Sequence, residues 1–322
     1  MNPRDLAAAA KAAARALGFD ACGLTDLEPS RAAAALDDWL ASGLHGEMRY
    51  MERQAPVRRD PGRAWPAARS AIVVLHNYWQ PVGGIAPGRG RVAKYALGDD
   101  YHDVMHGKLA RLGEHVVAAA GGGSIRVYVD AGPLPERELA RRAGLGWYGK
   151  NTMLIHPHLG SFTFIGVVLT DLEMAFDEPF EADRCGSCRR CLDACPTAAF
   201  PAPRFLDATR CVSYLTIEAR GPVPGALRRG VGDWLFGCDA CQDVCPWNLR
   251  FAVETAEPRY RSRPAERWPT LLEIVRMQER DCEEAFGGTA LERAGCAGLA
   301  RNAALVLQNL PAARPGAEMR PD

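Results

Sequence analysis

The sequence predicts a mixed protein, of the α+β or α/β class, that is built from three consecutive parts. Residues 1–175 alternate helix and strand patterns, residues 176–256 hold most of the cysteines, and residues 257–322 return to helical spacing. A chain of 322 residues is long enough for two or three such domains. We therefore expect an α/β N-terminal domain, a small cysteine module and a short helical C-terminal region that ends in a tail.

Apolar periodicity defines the elements of the first part. Helical spacing covers residues 3–17, 30–42 and 101–120, whereas short apolar runs at residues 71–75, 125–129 and 162–169 predict buried strands. Strands that alternate with helices favour a layered α/β structure. In the third part, residues 258–269 contain three prolines and many arginines, which predicts a linker, and residues 271–277 and 290–310 have helical spacing.

Two ordered cysteine runs occupy the middle of the chain. Residues 185–196 have the C-x2-C-x2-C-x3-C-P spacing of bacterial ferredoxins, and residues 238–246 add a C-x2-C-x3-C-P run. In two-cluster ferredoxins the fourth cysteine of such a run ligates the other cluster. The spacing thus predicts a ferredoxin-like module with two 4Fe-4S clusters, which moves electrons. One cluster would bind Cys185, Cys188, Cys191 and Cys245, and the other Cys195, Cys211, Cys238 and Cys241.

Other uses of the cysteines fit the spacing less well. Disulfides are disfavoured because nothing marks the chain as secreted and cytosolic thiols stay reduced. Structural zinc is the main alternative, since paired C-x2-C units also form zinc sites, but zinc does not require the third and fourth cysteines of the first run. The isolated Cys22, Cys282 and Cys296 are expected to be buried apolar side chains. Either of the last two could replace Cys211 as the eighth ligand.

The composition limits the partners and the location. The formal net charge is zero, so a strongly basic, generally nucleic-acid-binding protein is excluded, and any RNA contact must come from a local patch. No stretch approaches the ~20 apolar residues of a membrane span. The alanine-rich N-terminus contains charged residues and lacks a continuous apolar core, so its pattern predicts a helix and not a signal peptide. We expect a cytoplasmic protein without a membrane partner.

About half of the chain precedes the cysteine module, and that half should contain the place where electrons are used. Asp130 follows a predicted strand and precedes a predicted helix, and ligands of α/β sheets collect at such strand ends. A buried carboxylic acid there could donate a proton, although Asp130 could also be a turn or helix cap. His102 could bind a metal or donate hydrogen bonds. Lys150 could bind a phosphate or be a solvated charge, and Arg58 could bind an anion or cap a helix.

Six segments together resemble the epoxyqueuosine reductases, in that family's order and over residues 1–310. They are residues 99–102 (Asp-Asp-Tyr-His), 129–130 (Val-Asp), 144–152 (Gly-Leu-Gly-Trp-Tyr-Gly-Lys-Asn-Thr), 185–196, 211–218 and 241–248, the last ending in Pro-Trp-Asn. The architecture is also similar to that of reductive dehalogenases, which join a cobalamin domain to a double-cluster module. The resemblance implies a cobalamin-binding N-terminal domain, in which Asp130 is the proton donor. The implied cofactor-binding residues are Arg58, Lys94, His102, Arg137, Lys150, Asn151 and Ser213.

The resemblance also implies a reaction and partners. The enzyme, an oxidoreductase, would reduce epoxyqueuosine to queuosine at the wobble position of tRNA, as the last step of queuosine biosynthesis. Electrons would come from a flavodoxin- or ferredoxin-like donor, and we expect a monomer. Longer relatives carry helical repeats that bind tRNA. Residues 295–302 match only the start of these repeats, so the C-terminal region resembles a truncated repeat. The alternatives are a cytosolic reductive dehalogenase-like enzyme for a small molecule and a plain 4Fe-4S electron-transfer protein without corrin.

Overall fold

The computed structural model describes residues 1–264 and 268–310. Its first part is built on a four-stranded sheet, and two small two-stranded sheets lie beside it. The strands, in chain order, are β1 (Ala21–Thr25), β2 (Ser70–Asn77), β3 (Arg91–Val92), β4 (Ile125–Val129), β5 (Trp147–Tyr148), β6 (Leu154–Ile155), β7 (Thr163–Thr170) and β8 (Trp234–Phe236).

Thirteen α-helices lie in the described residues. Five belong to the first part: α1 (Pro3–Ala16), α2 (Ala33–Ala41), α3 (Arg49–Arg59), α4 (Tyr101–Ala120) and α5 (Glu136–Arg142). Five short ones belong to the cysteine module: α6 (Arg190–Asp193), α7 (Val212–Ile217), α8 (Gly225–Val231), α9 (Ala240–Asp243) and α10 (Pro246–Phe251). The last three are α11 (Leu271–Arg276), α12 (Glu279–Phe286) and α13 (Gly295–Asn309). No helix in this described part of the chain is both long and apolar enough to cross a membrane.

The main sheet has the strand order β1-β2-β7-β4, and all three pairings are antiparallel. Strand β2 is buried on both faces, so its residues form a continuous apolar run instead of an alternating pattern. Ile72 and Val74 face a core that includes α1 and α4, whereas Val73 and Leu75 face α5. The mixed α/β class is confirmed, but the sheet is not the parallel one in which ligands collect at the carboxyl ends of strands.

The predicted elements of the first part are confirmed within a few residues, but helix α3 and the short strands β1, β3, β5 and β6 were missed. Helix α4 and strand β4 have the predicted bounds. Strand β1 was missed because its apolar run is broken by Gly23, where a Cβ atom would clash with the carbonyl oxygen of Ala143 at the end of α5. Helix α3 was missed because it is rich in charged residues and has only one buried residue, Ala55.

One core joins the three parts of the chain. Strand β8 of the cysteine module pairs with β3, and its Leu235 and Phe236 pack in the same cluster as Leu109 of α4 and Leu299 of α13. The boundaries at residues 175 and 256 stay predictions, since the packing runs across both. The tail from residue 311 lies outside the described residues.

Two expectations for the C-terminal part were wrong. Residues 258–264 are not a free linker, because Tyr260 is buried and the carbonyl oxygen of Tyr260 accepts a hydrogen bond from Gln80. Cys282 and Cys296 are buried as expected, but they form a disulfide, with their Cα atoms 5.7 Å apart. The packing of α12 against α13 brings the two cysteines within disulfide reach, which spacing in the sequence could not show.

The contact of Tyr260 with the sheet depends on His76 of β2. His76 Nδ1 lies 2.9 Å from the Tyr260 hydroxyl, and Nε2 lies 3.2 Å from Nζ of Lys108, which in turn pairs with Glu257 at 2.6 Å. Burial, and after it the charge of Lys108, lowers the pKa of His76 to about 4. The imidazole is therefore neutral in the folded protein at neutral pH.

We expect this histidine to make the fold acid-sensitive. The pKa of His76 is lower in the folded chain than in the unfolded chain, so its contribution to stability is complete above pH 6.5 and is lost as the pH falls toward 4. The difference corresponds to about 3 kcal/mol of unfolding free energy. Urea unfolding at pH 7 and pH 5 should show a smaller acid loss for His76→Gln than for wild type. An unchanged acid loss, equal to that of a variant at the exposed His115, would contradict this assignment.

Candidate active site

Asp130 lies at the end of β4, at the mouth of a small polar cluster. Its Oδ2 accepts a hydrogen bond of 2.6 Å from the Tyr101 hydroxyl and lies 3.8 Å from Nε2 of His102. Asp130 has a φ angle of 49°, a left-handed conformation that is uncommon for a residue other than glycine. The cap alternative is wrong, since α5 begins at Glu136 and no side chain caps it.

Tyr101 and His102 are held by the first turn of α4. Asp100 is the N-cap of this helix, and its Oδ1 accepts from the backbone N–H of His102 at 2.9 Å and from Nδ1 at 2.8 Å. Burial opposes the charged form of His102, but the hydrogen bond to Asp100 and the charges of Asp100 and Asp130 outweigh it and raise the pKa of the imidazole. Burial and the Asp130 carboxylate raise the pKa of Tyr101 well above its usual value. Tyr101 therefore stays protonated and donates its hydrogen bond to Asp130.

The carboxyl oxygen enclosed at this site is not that of the predicted residue. The Asp130 side chain is 69 % exposed, so the expectation of a buried Asp130 was wrong. Burial, followed by the negative charge of Asp130, instead raises the pKa of Glu136 to about 8. Its Oε1 is buried without a hydrogen-bond partner, as is Nε of Arg58, whose other nitrogens donate to the Leu134 carbonyl at 3.1 Å and to Gln54 at 3.0 Å.

The structure brings together both predicted sets of four cysteines. Cys185, Cys188, Cys191 and Cys245, which are 54 to 60 residues apart between the runs, line one cavity of about 160 Å³. The cysteines of the second set, like most of the first, are partly buried. Burial, and then the neighbouring Cys211 and Cys195, raises the pKa of Cys238 to about 12.

Cys241 shows the same environment as Cys238. Burial, and after it the thiols of Cys211 and Cys238, raises its pKa well above the usual value. A buried cysteine ligand therefore releases its proton when a cation binds, because the metal charge favours the thiolate. In the described residues no three His, Cys, Asp or Glu side chains converge on a single ion position. A cubane does not need such convergence, since its four cysteines bind four different irons.

Three of the predicted cofactor-binding residues join the α/β domain to the cysteine module. Lys94 Nζ pairs with Asp243 at 2.5 Å and lies 3.5 Å from Asp239. Lys150 Nζ donates to the carbonyl oxygens of Gly186 and Cys188, at 2.5 and 2.9 Å, on the loop of the first cysteine run.

The amide of Asn151 points toward the second set of cysteines, 3.4 Å from the Cys241 carbonyl oxygen. The structure also shows the contacts of the last two predicted cofactor-binding residues. Ser213 hydrogen-bonds Cys211, which lowers the pKa of that thiol against a larger opposite effect of burial. Arg137 is exposed and donates to the Thr152 carbonyl at 3.1 Å. The cofactor roles of these residues stay predictions.

Sequence reasoning missed Tyr101, Glu136 and Asp239 as site residues. Tyr101 and Glu136 lay inside segments that already looked unusual, but a tyrosine at a helix start and a glutamate in a first turn are ordinary features. Asp239, between two predicted cluster ligands, is 2 % exposed and accepts from the backbone N–H of Lys94 at 2.8 Å. Only the packed structure shows that Asp239 is buried and that Oε1 of Glu136 is enclosed.

Comparison with known proteins agrees with this site. A family model described as "4Fe-4S double cluster binding domain" matches residues 184–248, and one described as "Epoxyqueuosine reductase QueG, DUF1730" matches residues 58–131. An epoxyqueuosine reductase of Xanthomonas campestris is 40% identical over 318 residues, which cover 96% of this chain and 88% of the relative. The chain belongs to the epoxyqueuosine reductase family. A Pseudomonas aeruginosa member is 39% identical over 319 residues, covering 98% of this chain and 88% of the relative.

Solved structures of this family have the same fold. An epoxyqueuosine reductase crystallised with an epoxyqueuosine-modified tRNA-Tyr stem loop superposes with a TM-score of 0.87 at 30% identity, covering 96% of this chain and 82% of that one. A Bacillus subtilis epoxyqueuosine reductase, described with its catalytic aspartate loop swung out of the active site, gives a TM-score of 0.85 at 30% identity, with the same two coverages.

The two cysteine sets can be tested separately. We expect Cys188→Ser and Cys241→Ser each to lose one cluster, because each removes a ligand from a different set of four. Anaerobic reconstitution should then give about four irons per chain instead of about eight. Cys22→Ser, a change at a cysteine outside both sets, is the matched control and should keep the wild-type iron content. Loss of all iron in both cluster variants would contradict two independent sites.

Proposed function

We propose that this enzyme reduces epoxyqueuosine in the anticodon of tRNA to queuosine. The observation that carries the proposal is the position of Asp130: the acid, with its tyrosine and histidine partners, lies on the α/β domain to which both cysteine sets are attached. A family member has been crystallised with a modified tRNA stem loop, and another is described with a catalytic aspartate loop. Both descriptions fit an aspartate on a loop that meets an RNA substrate.

The cysteines fit two 4Fe-4S clusters. Four thiols line the first cavity, and four more form the second set, with Asn151 and Ser213 beside it. When bound, the clusters supply single electrons one at a time. The chain's own contribution is to hold the two sets close together, since Lys150 and Asn151 of one segment contact both cysteine runs. A flavodoxin- or ferredoxin-like protein is the proposed donor to the clusters.

The surroundings of Asp130 also fit a corrin. The unpartnered Nε of Arg58 is a buried donor beside the acid, and an amide side chain of a corrin would satisfy it. Lys94, Lys150, Asn151 and Ser213 contact the cysteine module, and a corrin that they bind would be near the clusters. When bound, cobalamin supplies a reducible cobalt centre for the two-electron chemistry. We therefore propose Arg58, Lys94, His102, Arg137, Lys150, Asn151 and Ser213 as its surroundings.

Asp130 is the proposed proton donor to the epoxide oxygen. The reaction breaks both C–O bonds of the epoxide, forms a C=C bond, consumes two electrons and two protons, and releases the oxygen as water. Tyr101 fixes one carboxyl oxygen of Asp130 by its 2.6 Å hydrogen bond, which leaves the other oxygen free toward the substrate. Asp100 holds His102 3.8 Å from Asp130, and the raised pKa of the imidazole favours the charged form, which would balance the carboxylate after proton transfer.

The exposure of Asp130 suits a macromolecular substrate. A base stacked in an anticodon loop cannot reach a pocket, so the modified base must be turned out of its stack and placed over the acid. The base would then cover Asp130 and exclude water from it, a condition that favours the neutral acid required for donation. We further propose that the enzyme works in the cytoplasm as a monomer.

We expect Asp130→Asn to lower turnover of epoxyqueuosine-containing tRNA by about 100-fold or more, the usual effect of losing a general acid. The amide keeps the size and the hydrogen bond from Tyr101 but cannot donate a carboxylic proton. Iron content and corrin binding should stay at wild-type values. Asp38→Asn, on the exposed helix α2, is the matched control. Full activity of the Asp130 variant would falsify the proton-donor role.

A further inference from the structure

The loop of the first cysteine run lies at the protein surface. Residues 181–190 are exposed except for their two cysteines, which are partly buried. In the second run, by contrast, the neighbours of Cys238 on both sides, Gly237 and Asp239, are buried. A cluster bound by the first set would therefore have solvent on one side, where a donor protein can approach it.

An apolar segment follows directly after the last cysteine of the first set. Helix α10 begins after Cys245, and the backbone N–H of Leu249, one turn later, donates to the Cys245 carbonyl oxygen at 3.0 Å. The Leu249 side chain is 68 % exposed, the largest fraction for a large apolar residue in the described part of the chain, and Val253 is 55 % exposed. Trp247 and Phe251 stack on each other and are only partly buried. Apolar surface gathered in one short segment is typical of a protein contact.

Aromatic rings join α10 to the loop of the first run. Trp247 lines the cavity of the first set and meets the Trp147 ring edge to face, with centroids 4.8 Å apart. Trp147 stacks on Phe180 at 5.5 Å, and the guanidinium carbon of Arg184 lies 5.5 Å from the centre of the Phe180 ring. Arg184 lines the same cavity as Trp247. Helix α10 and the loop therefore form one continuous surface around the first cysteine set.

This surface carries positive charge without carboxylate partners. Every acidic side chain in residues 181–193 and 243–254 pairs with a basic one. The pairs are Glu181–Arg141, Asp183–Arg204, Asp193–Arg189, Asp243–Lys94 and Glu254–Arg261. Among the residues that the structure describes, Arg184, Arg190 and Arg250 have no acidic partner, and all three are exposed. The chain has a formal net charge of zero, so this excess of positive charge is a local feature.

We propose that the electron donor docks on this surface, the docking face, which is formed by Arg184, Arg190, Trp247, Leu249 and Arg250. The occupant is an acidic one-electron carrier protein. Its carboxylates would face the three arginines, and its apolar residues would cover Leu249 and Trp247. Complexes between redox proteins have small interfaces, and protein interfaces in general have an apolar centre and a polar rim. The inference rests on the proposed function, in which such a donor supplies the clusters.

The position of the docking face favours a carrier protein over RNA. Phosphates of RNA would pair with the arginines but would leave Leu249 in water, and they have no reason to lie beside the first cysteine set. A carrier protein uses the charge, the apolar centre and the nearby cluster together. In each encounter the reduced carrier loses one electron and the cluster gains it. Two encounters supply the two electrons of one turnover, and no bond or proton is exchanged in this step.

The test reverses the character of the face with the double variant Leu249→Glu/Arg250→Glu. Leu272→Glu/Arg276→Glu is the matched control, because it makes the same two changes at an exposed leucine and an exposed arginine of α11. The probe is a purified acidic flavodoxin. Calorimetry on the reconstituted chain gives its Kd, and stopped-flow absorbance gives the rate at which its hydroquinone form reduces the clusters.

We expect the double variant to bind flavodoxin about tenfold or more weakly and to be reduced by it about tenfold or more slowly, because attraction becomes repulsion. The control should match wild type. Raising the salt from about 0.05 M to about 0.3 M should slow the reduction of wild type, since it screens exposed charges, and should not slow that of the double variant. Iron content and turnover of epoxyqueuosine-containing tRNA with a chemical reductant should stay at wild-type values, because both replaced side chains are exposed.

Wild-type flavodoxin binding and cluster reduction in the double variant would overturn the docking face, and so would an equal loss in the control. Weaker binding of a tRNA stem loop with unchanged flavodoxin binding would assign the face to RNA and overturn the proposal as well. If the double variant loses iron, Arg250→Gln decides, and an unchanged salt dependence of its reduction would count against the face. A wild-type enzyme that does not convert the tRNA with the chemical reductant would overturn the proposed function, whereas the flavodoxin measurements would still test the docking face.

Discussion

The structure depends on one buried carboxylate at the boundary between the α/β domain and the cysteine module. Asp239 lies between two predicted cluster ligands, Cys238 and Cys241, and accepts from the backbone N–H of Lys94 at 2.8 Å. Burial raises its pKa to about 6, an effect that the charge of Lys94 opposes. Because a buried charge is costly unless it is paired, this contact fixes where the cysteine module can sit.

A second group of contacts holds the first cysteine run to the same domain. Lys150 binds two carbonyl oxygens of that loop, and the neighbouring Asn151 reaches the carbonyl of Cys241. Loop carbonyls that are satisfied by a lysine need no regular secondary structure, so the loop can follow the shape of a cluster. The same short segment of the α/β domain thus contacts both cysteine sets and keeps them next to each other.

Electrons and protons would enter the site from different directions. The cysteine sets lie on the module side, whereas Tyr101, His102, Asp130 and Glu136 belong to helix starts and a strand end of the α/β domain. This separation leaves Asp130 exposed toward a large substrate. The two carboxyl groups have different surroundings. The exposed carboxylate of Asp130 lies beside a histidine and a tyrosine, whereas the enclosed carboxyl group of Glu136 is neutral.

The sequence alone determined the features that depend on local spacing. Periodicity located α4 and β4, and the cysteine spacing grouped the two sets of four, because ligand loops are short and their order is fixed along the chain. Tertiary structure decided what depends on packing. It placed β1 against β2, paired Cys282 with Cys296, left Asp130 exposed and enclosed one carboxyl oxygen of Glu136. The burial of a side chain depends on the residues that surround it in the folded chain. The neutral carboxyl group of Glu136 therefore could not be recognised from the sequence.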